Sequence, residues 1–242
     1  MSEVHLFIPC LVEDVFPQIG EATARVLAKA GARVVYPNGQ TCCGQMQYKL
    51  GRPELVRPLA RRFLDIFDEA GAVVSPSGSC VGMVRHYPEL FAQGSVLRTR
   101  AEAMAAKTYE LSDYLVNVLG KRDLGARYPV KAVYHDSCQI GRALGLHEEP
   151  RELLRRVSGL TLAELSRPER CCGFGGAFSL KFPEVSEAIL DEKIEDILKS
   201  GADCVVTAEV SCLLNIASAL KKAGSDFKAL HLAEVLAMGG EA

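Results

Sequence analysis

The sequence predicts an α/β protein built from two pseudo-repeated modules, each a small parallel β-sheet flanked by helices. Three observations carry this. Short runs of β-branched and apolar residues alternate with longer stretches of helical spacing, which implies parallel strands and right-handed crossovers. Cysteines recur at matched gaps: Cys10 to Cys42 spans 32 and Cys138 to Cys171 spans 33, while Cys43 to Cys80 spans 37 and Cys172 to Cys212 spans 40. The flanks match too. VVSPSGSC (73–80) lies over VVTAEVSC (205–212), AGARVVY (30–36) resembles SGLTLAE (158–164), and ELSDYL (110–115) resembles HLAEVL (231–236).

Taken in order, 4–8 is a short β run, and 15–30 has helical spacing and stops at Gly31. A strand follows at 33–36, a helix at 54–70 closed by Gly71, a strand at 72–75, and a helix at 101–119 ended by Gly120. The second half repeats the scheme with strands at 131–135, 161–165 and 203–207 and helices at 151–157, 185–199 and 213–223. Between Gly120 and Pro129 the Gly- and charge-rich GKRDLGARYP is a connector. The expected modules are therefore 1–124 and 125–242.

The 242 residues are 48% hydrophobic and 24% charged, ordinary values for a globular chain with a sizeable core. A net charge of −2 gives no polyanion-binding face, so a nucleic-acid partner is not expected. No apolar run reaches the ~18 residues that would span a bilayer. MSEVHLFIPC (1–10) lacks a basic segment and a small-residue cleavage site, so a cytoplasmic location is expected. The cytosol keeps most thiols reduced, so nine cysteines point toward metal or redox chemistry rather than structural disulfides.

The strand scheme explains how distant cysteines meet. Each follows a strand, and in a parallel sheet all carboxyl ends lie at one edge, where α/β folds build their sites. Cys10, Cys42, Cys43 and Cys80 gather there in one module, and Cys138, Cys171, Cys172 and Cys212 in the other. Clustered thiolates suit zinc or iron–sulfur clusters. Glycine after each CC pair fits a loop that wraps a cofactor, because glycine tolerates positive φ and close backbone approach. Gly44 fills this role in the first half, and Gly173, Gly175 and Gly176 in the second, whose wrapped loop is the expected home of a cluster. GFGG (173–176) is not the dinucleotide fingerprint, and no phosphate-loop lysine follows. Cys204 has no counterpart, since Ala72 takes that place, and it is expected to be a buried core residue.

These motifs resemble a known family. SGSCVGMV (77–84), HDSC (135–138) and CCGFGGAFSLKFPEVS (171–186) are similar to the lactate-utilisation protein A family of small (Fe–S)-binding proteins. That family shares its cysteine-rich CCG domain with a subunit of heterodisulfide reductase and with the glycolate oxidase iron–sulfur subunit. The resemblance implies a part in NAD-independent oxidation of L-lactate to pyruvate, by electron transfer through a cysteine-ligated cluster. It also implies companion subunits of a lactate-oxidation complex, one of them a ferredoxin-type iron–sulfur protein. The cofactor would be one or two [4Fe–4S] clusters, with zinc possible in one half. Two alternatives stay open: a heterodisulfide-reductase-like thiol/disulfide redox protein, and a zinc-stabilised binding module without redox activity.

The fuller CCG motif ends in C-x-x-C, but the first position here is Ser77 in one half and Glu209 in the other. Both read better as loop or cap residues than as weak oxygen ligands. No ferredoxin cysteine run and no flavin motif occurs, so lactate oxidation would need a partner carrying the electron acceptor.

Other candidates are weaker. His135 and Asp136 precede Cys138 at a strand end and are candidate catalytic residues, His135 as a general base or as a hydrogen-bonding neighbour of a cluster sulfide. Lys181, Arg142 and Arg85 could bind a carboxylate, with surface solvation as the default. His86 has no motif support, His147 belongs to a solvated charge run, and His231 reads as a helix-cap residue.

Overall fold

The computed structural model describes residues 2–239. The first module runs β1 (Glu3–Leu6), α1 (Cys10–Val15), α2 (Pro17–Lys29), β2 (Arg33–Val35), α3 (Gln45–Lys49), α4 (Pro53–Ile66), β3 (Val73–Ser75), α5 (Gly78–His86), α6 (Val96–Ala106), β4 (Thr108–Glu110) and α7 (Leu111–Asp113), which continues as a π-turn through Val118. The second runs β5 (Lys131–Tyr134), a π-turn at Gln139–Ala143, α8 (Glu149–Arg155), β6 (Thr161–Ala163), α9 (Ala177–Lys181), α10 (Pro183–Lys199), β7 (Cys204–Thr207), α11 (Val210–Lys222), β8 (Lys228–His231) and α12 (Leu232–Ala237). Each module is a four-stranded, wholly parallel sheet, in the order β2-β1-β3-β4 and β6-β5-β7-β8. The strand order reverses between β1 and β3, and again between β5 and β7. Such switch points open a crevice at the carboxyl ends of the strands.

Burial holds the modules to each other. One apolar core contains Val4, Leu27, Tyr134 and Val206, drawn from both halves, and α12 packs on α2. Two smaller cores lie beneath the cysteines. One joins Phe7 and Phe63 to Cys43 and Cys80, and the other joins Val133 and Ile194 to Cys172 and Cys212. Cys204 is fully buried in β7, as expected for a core residue.

The structure corrects several of the expected elements and adds others. The helix expected over 15–30 starts only at Pro17, because Pro17 disfavours helical backbone at the residue before it and Phe16 sits at φ −133°, ψ 56°, and a separate short helix, α1, precedes it. The helix expected over 101–119 is interrupted by β4, whose Thr108 and Glu110 are buried while Tyr109 is half-buried. β8 occupies the matching place in the second sheet, between α11 and α12. The residues after β3 form α5, and α11 begins at Val210, so Cys80 and Cys212 lie in first helical turns rather than in loops.

Candidate metal centres

Three strands in each module deliver its four cysteines. Cys10 opens α1 after β1, Cys42 and Cys43 lie in the loop between β2 and α3, and Cys80 is in the first turn of α5 after β3. The second module repeats this with Cys138 after β5, Cys171 and Cys172 after β6, and Cys212 in the first turn of α11. Burial repeats too: Cys43, Cys80, Cys172 and Cys212 are buried, and the other four are at least partly open. The Sγ atoms of Cys10 and Cys42 are 3.7 Å apart, those of Cys43 and Cys80 3.3 Å, and those of Cys172 and Cys212 2.9 Å. All nine cysteines are free thiols.

The CC pairs are held by the glycine that follows them. Gly44 has φ +86° and Gly173 has φ +82°, a left-handed turn that costs other residues energy. That turn aims the Gly44 N–H at Cys42 Sγ (3.4 Å) and the Gly173 N–H at Cys171 Sγ (3.3 Å). A Cβ at either glycine would also collide with the second helix onward, 2.6 Å from Val56 Cγ1 of α4 in one case and 2.5 Å from the Ser186 carbonyl oxygen of α10 in the other.

The two sets face one another. A cavity of ≈ 300 Å³ is lined by Cys10, Cys42, Cys43 and Cys80, and one of ≈ 50 Å³ by Cys138, Cys171, Cys172 and Cys212. Gln45, Lys49, Ser79, Phe174, Gly176 and Ser211 line both. The Gln45 side-chain amide spans the divide, donating to the Ser79 carbonyl oxygen at 2.8 Å and to Gln139 Oε1 at 3.2 Å. Gln139 Nε2 in turn lies 3.9 Å from Cys138 Sγ.

The donor set fits a soft metal. Cys42 is held far below the usual thiol range by hydrogen bonds from Cys10 and Cys43, while Cys10 is pushed up by its hydrogen bond to Cys42 and by burial. Cys43 is pushed up by its thiol neighbours Cys42 and Cys80 and by burial, and Cys138 by Cys171 and burial. Thiols packed this closely share protons because several adjacent thiolates repel. A bound metal cation removes that conflict and deprotonates its ligands outright. Four thiolates suit a [4Fe–4S] cluster or tetrahedral zinc equally.

The structure places His135 beneath the second set, 1% exposed, with a ring nitrogen and the Sγ atoms of Cys172 and Cys212 all within 4.8 Å of one another. Burial, with a smaller contribution from Lys193, pushes its pKa down to about 3, so the ring is neutral. Asp136 turns away. Arg151 grips its carboxylate with two hydrogen bonds of 2.6 and 2.8 Å. Gly175 lines only the smaller cavity.

Ser77 and Glu209 sit at the N-caps of α5 and α11, and the Glu209 side chain accepts from the Ser211 N–H. Arg85 pairs with Asp113, Arg142 reaches the Glu169 carbonyl, and Lys181 is exposed, so none of the three lines either cysteine cavity. His86 pairs with Glu89, and His231 caps α12 in a capping box with Glu234. Lys49 and Gln45 carry no motif, and the facing of the two modules lets them line both cavities.

The sequence matches the cysteine-rich CCG domain model twice, over residues 4–85 and 132–217. It is 47% identical over 241 residues to Lactate utilization protein A of an Exiguobacterium species, covering 99% of this chain and 98% of that protein. It is 43% identical over 238 residues to Lactate utilization protein A 2 of Bacillus cereus, covering 98% of each. Among solved structures it resembles a hypothetical protein from Helicobacter pylori with a TM-score of 0.66 at 12% identity, covering 100% of this chain and 50% of that one, a likeness of fold alone. No helix among the described residues is long and apolar enough to cross a membrane. With its cysteine-rich domain in two copies and its relatives matched end to end, the chain belongs to the Lactate utilization protein A family.

Proposed function

We propose that the protein is an iron–sulfur subunit of a lactate-utilisation system, taking part in NAD-independent oxidation of L-lactate to pyruvate. The observation that carries this is the facing of two four-cysteine sets across shared walls, in a chain whose full-length relatives are named for lactate utilisation. Cys10, Cys42, Cys43 and Cys80 would hold one centre, and Cys138, Cys171, Cys172 and Cys212 the other. A bound [4Fe–4S] cluster supplies one-electron transfer.

The chain's own groups set the surroundings. The Gly44 and Gly173 amides donate to thiolate sulfur, and such hydrogen bonds tune a cluster's potential. Cys80 and Cys212 lie at helix N-termini, where the backbone dipole favours negative charge. Lys49 brings a positive charge to the wall between the centres, suited to a carboxylate substrate or to an acidic partner surface. Lactate oxidation to pyruvate releases two electrons and two protons. The electrons must leave on an acceptor, and a ferredoxin-type companion subunit in the same cytoplasmic complex is the proposed recipient.

Anaerobic purification with iron, sulfide and zinc counts, followed by EPR of the reduced protein, tests the metal reading. The expected result is a coloured protein with iron and sulfide in near-equal amounts. A colourless protein with zinc alone in both sets refutes electron transfer. Loss of growth on L-lactate after gene deletion tests the substrate, and normal growth without a paralogue to cover refutes it.

A further inference from the structure

The repeat allows the two cysteine sets to be compared position by position. Phe7 lies three residues before Cys10, and His135 three before Cys138. α4 and α10 both open on proline, and ten residues on stand Phe63 and Lys193. The register is anchored independently, because Gly44 abuts Val56 and Gly173 abuts Ser186, each three residues past its proline.

Beneath the first set, Phe7 and Phe63 make an edge-to-face pair at 4.9 Å, in one core with Cys43 and Cys80. Beneath the second set the same two positions are His135 and Lys193, 1% and 0% exposed. Lys193 is accounted for. Its Nζ donates to the carbonyl oxygens of Arg167 (2.8 Å) and Pro168 (3.2 Å), securing the loop that leads to Cys171. His135 is not accounted for. Neither ring nitrogen meets a hydrogen-bond partner among the described residues. A buried, unpartnered imidazole is costly where the matching position is a well-packed phenyl ring. The ring is nonetheless aimed at Cys172 and Cys212, with ligand atoms within 4.8 Å of one another.

We propose that His135 is a metal ligand of the second centre, giving it a mixed imidazole and thiolate set with Cys172 and Cys212, while the first centre is ligated by thiolates alone. This rests on the reading of the cysteine sets as metal sites. Imidazole is a neutral donor, and histidine in place of thiolate raises the potential of an iron–sulfur centre.

The test uses the full chain, purified anaerobically with natural histidine and with 15N-histidine. It combines metal and sulfide counts, X-ray absorption at the iron and zinc edges, and pulsed EPR of the reduced protein. Two variants accompany it: His135→Phe, which copies the first module, and His135→Cys, which returns a ligating atom. The expected wild-type result is a histidine nitrogen in the first coordination sphere of one centre. In His135→Phe that nitrogen disappears and the metal count falls by one centre's share, with far-UV circular dichroism retained. In His135→Cys the count recovers without the nitrogen.

A wild-type shell of sulfur alone in both centres overturns the proposal, even if His135→Phe fails to fold. A His135→Phe protein with full metal content and an unchanged nitrogen signal overturns it too. The two readings fail separately. Zinc bound with a histidine nitrogen sustains His135 as ligand and removes electron transfer, whereas reducible iron clusters with only sulfur ligands do the reverse. A chain that binds no metal overturns both.

Discussion

The Glu209 carboxylate of the second module accepts the backbone N–H of Ser79 in the first at 2.7 Å. It also accepts the Ser79 hydroxyl at 2.9 Å, the Ser211 N–H at 3.2 Å and the Ser211 hydroxyl at 2.9 Å, and it is fully buried. Backbone pairing of Ser77 with Glu209 brings the two segments together. One carboxylate thus caps both α5 and α11, the helices that carry Cys80 and Cys212. Replacing Glu209 by alanine strips two caps at once and leaves buried donors unpaired. The expected cost is about 2–4 kcal/mol, read as a lower midpoint in urea unfolding, with Glu209→Gln less damaging. An unchanged midpoint for the alanine variant would show that the contact does not hold the modules.

That capping explains part of what the sequence did not reveal. The repeat, the parallel sheets and the convergence of eight cysteines on two sheet edges were legible, because each depends on local pattern and on the shared direction of parallel strands. The first turns of α5 and α11 were not. SGSC contains glycine and serine, poor helix formers that read as loop, and the cap that rescues α5 comes from Glu209, far along the chain. β4 and β8 were missed for a different reason. They are three and four residues long, too short for an alternating pattern to stand out beside the flanking helices. That Lys49 and Gln45 line both cavities depends on how the modules dock, which no local pattern encodes.

Asp136 and Arg151 form an ion pair with both residues under 10% exposed, and Arg151 also bonds the His147 carbonyl and Glu164. Removing one member of such a pair strands the other charge. Asp136→Asn should lower stability by about 3–5 kcal/mol. The double variant Asp136→Asn/Arg151→Met should lose less than the sum of the two single changes. Chemical denaturation of all four proteins as a double-mutant cycle measures this. Strict additivity would mean that the pair does not couple.

Alanine at glycine positions separates backbone strain from collision. Gly94 has φ +76° with nothing within 4 Å of an added Cβ, so Gly94→Ala bears conformational strain alone, about 1 kcal/mol. Gly173→Ala adds contact at 2.5 Å with a backbone carbonyl that cannot swing aside. Its destabilisation should exceed that of Gly94→Ala severalfold, and the displaced Cys171–Cys172 loop should bind metal less well. Melting temperatures and metal content after dialysis against a chelator give both readouts. Equal effects at the two positions would refute a tight loop at Gly173.

Glu110 supplies a pH dependence of its own. Its carboxyl is fully buried at the start of α7, where burial raises its pKa to about 7, against the opposing pull of hydrogen bonds from Ser112 and Asp113. The unfolded chain releases this proton near pH ~4.3. Between those values the folded protein holds a proton that the unfolded chain has lost, so stability falls as pH rises from about 4.5 to 7. The loss attributable to this group is roughly 3 kcal/mol. Glu110→Gln keeps a neutral side chain that can still accept the Ser112 and Asp113 N–H groups, so it removes this slope. Its stability should match that of the wild type near pH 4.5 and exceed it at pH 7.5. Urea unfolding across that range provides the comparison, and parallel curves for the two proteins would place the titrating group elsewhere.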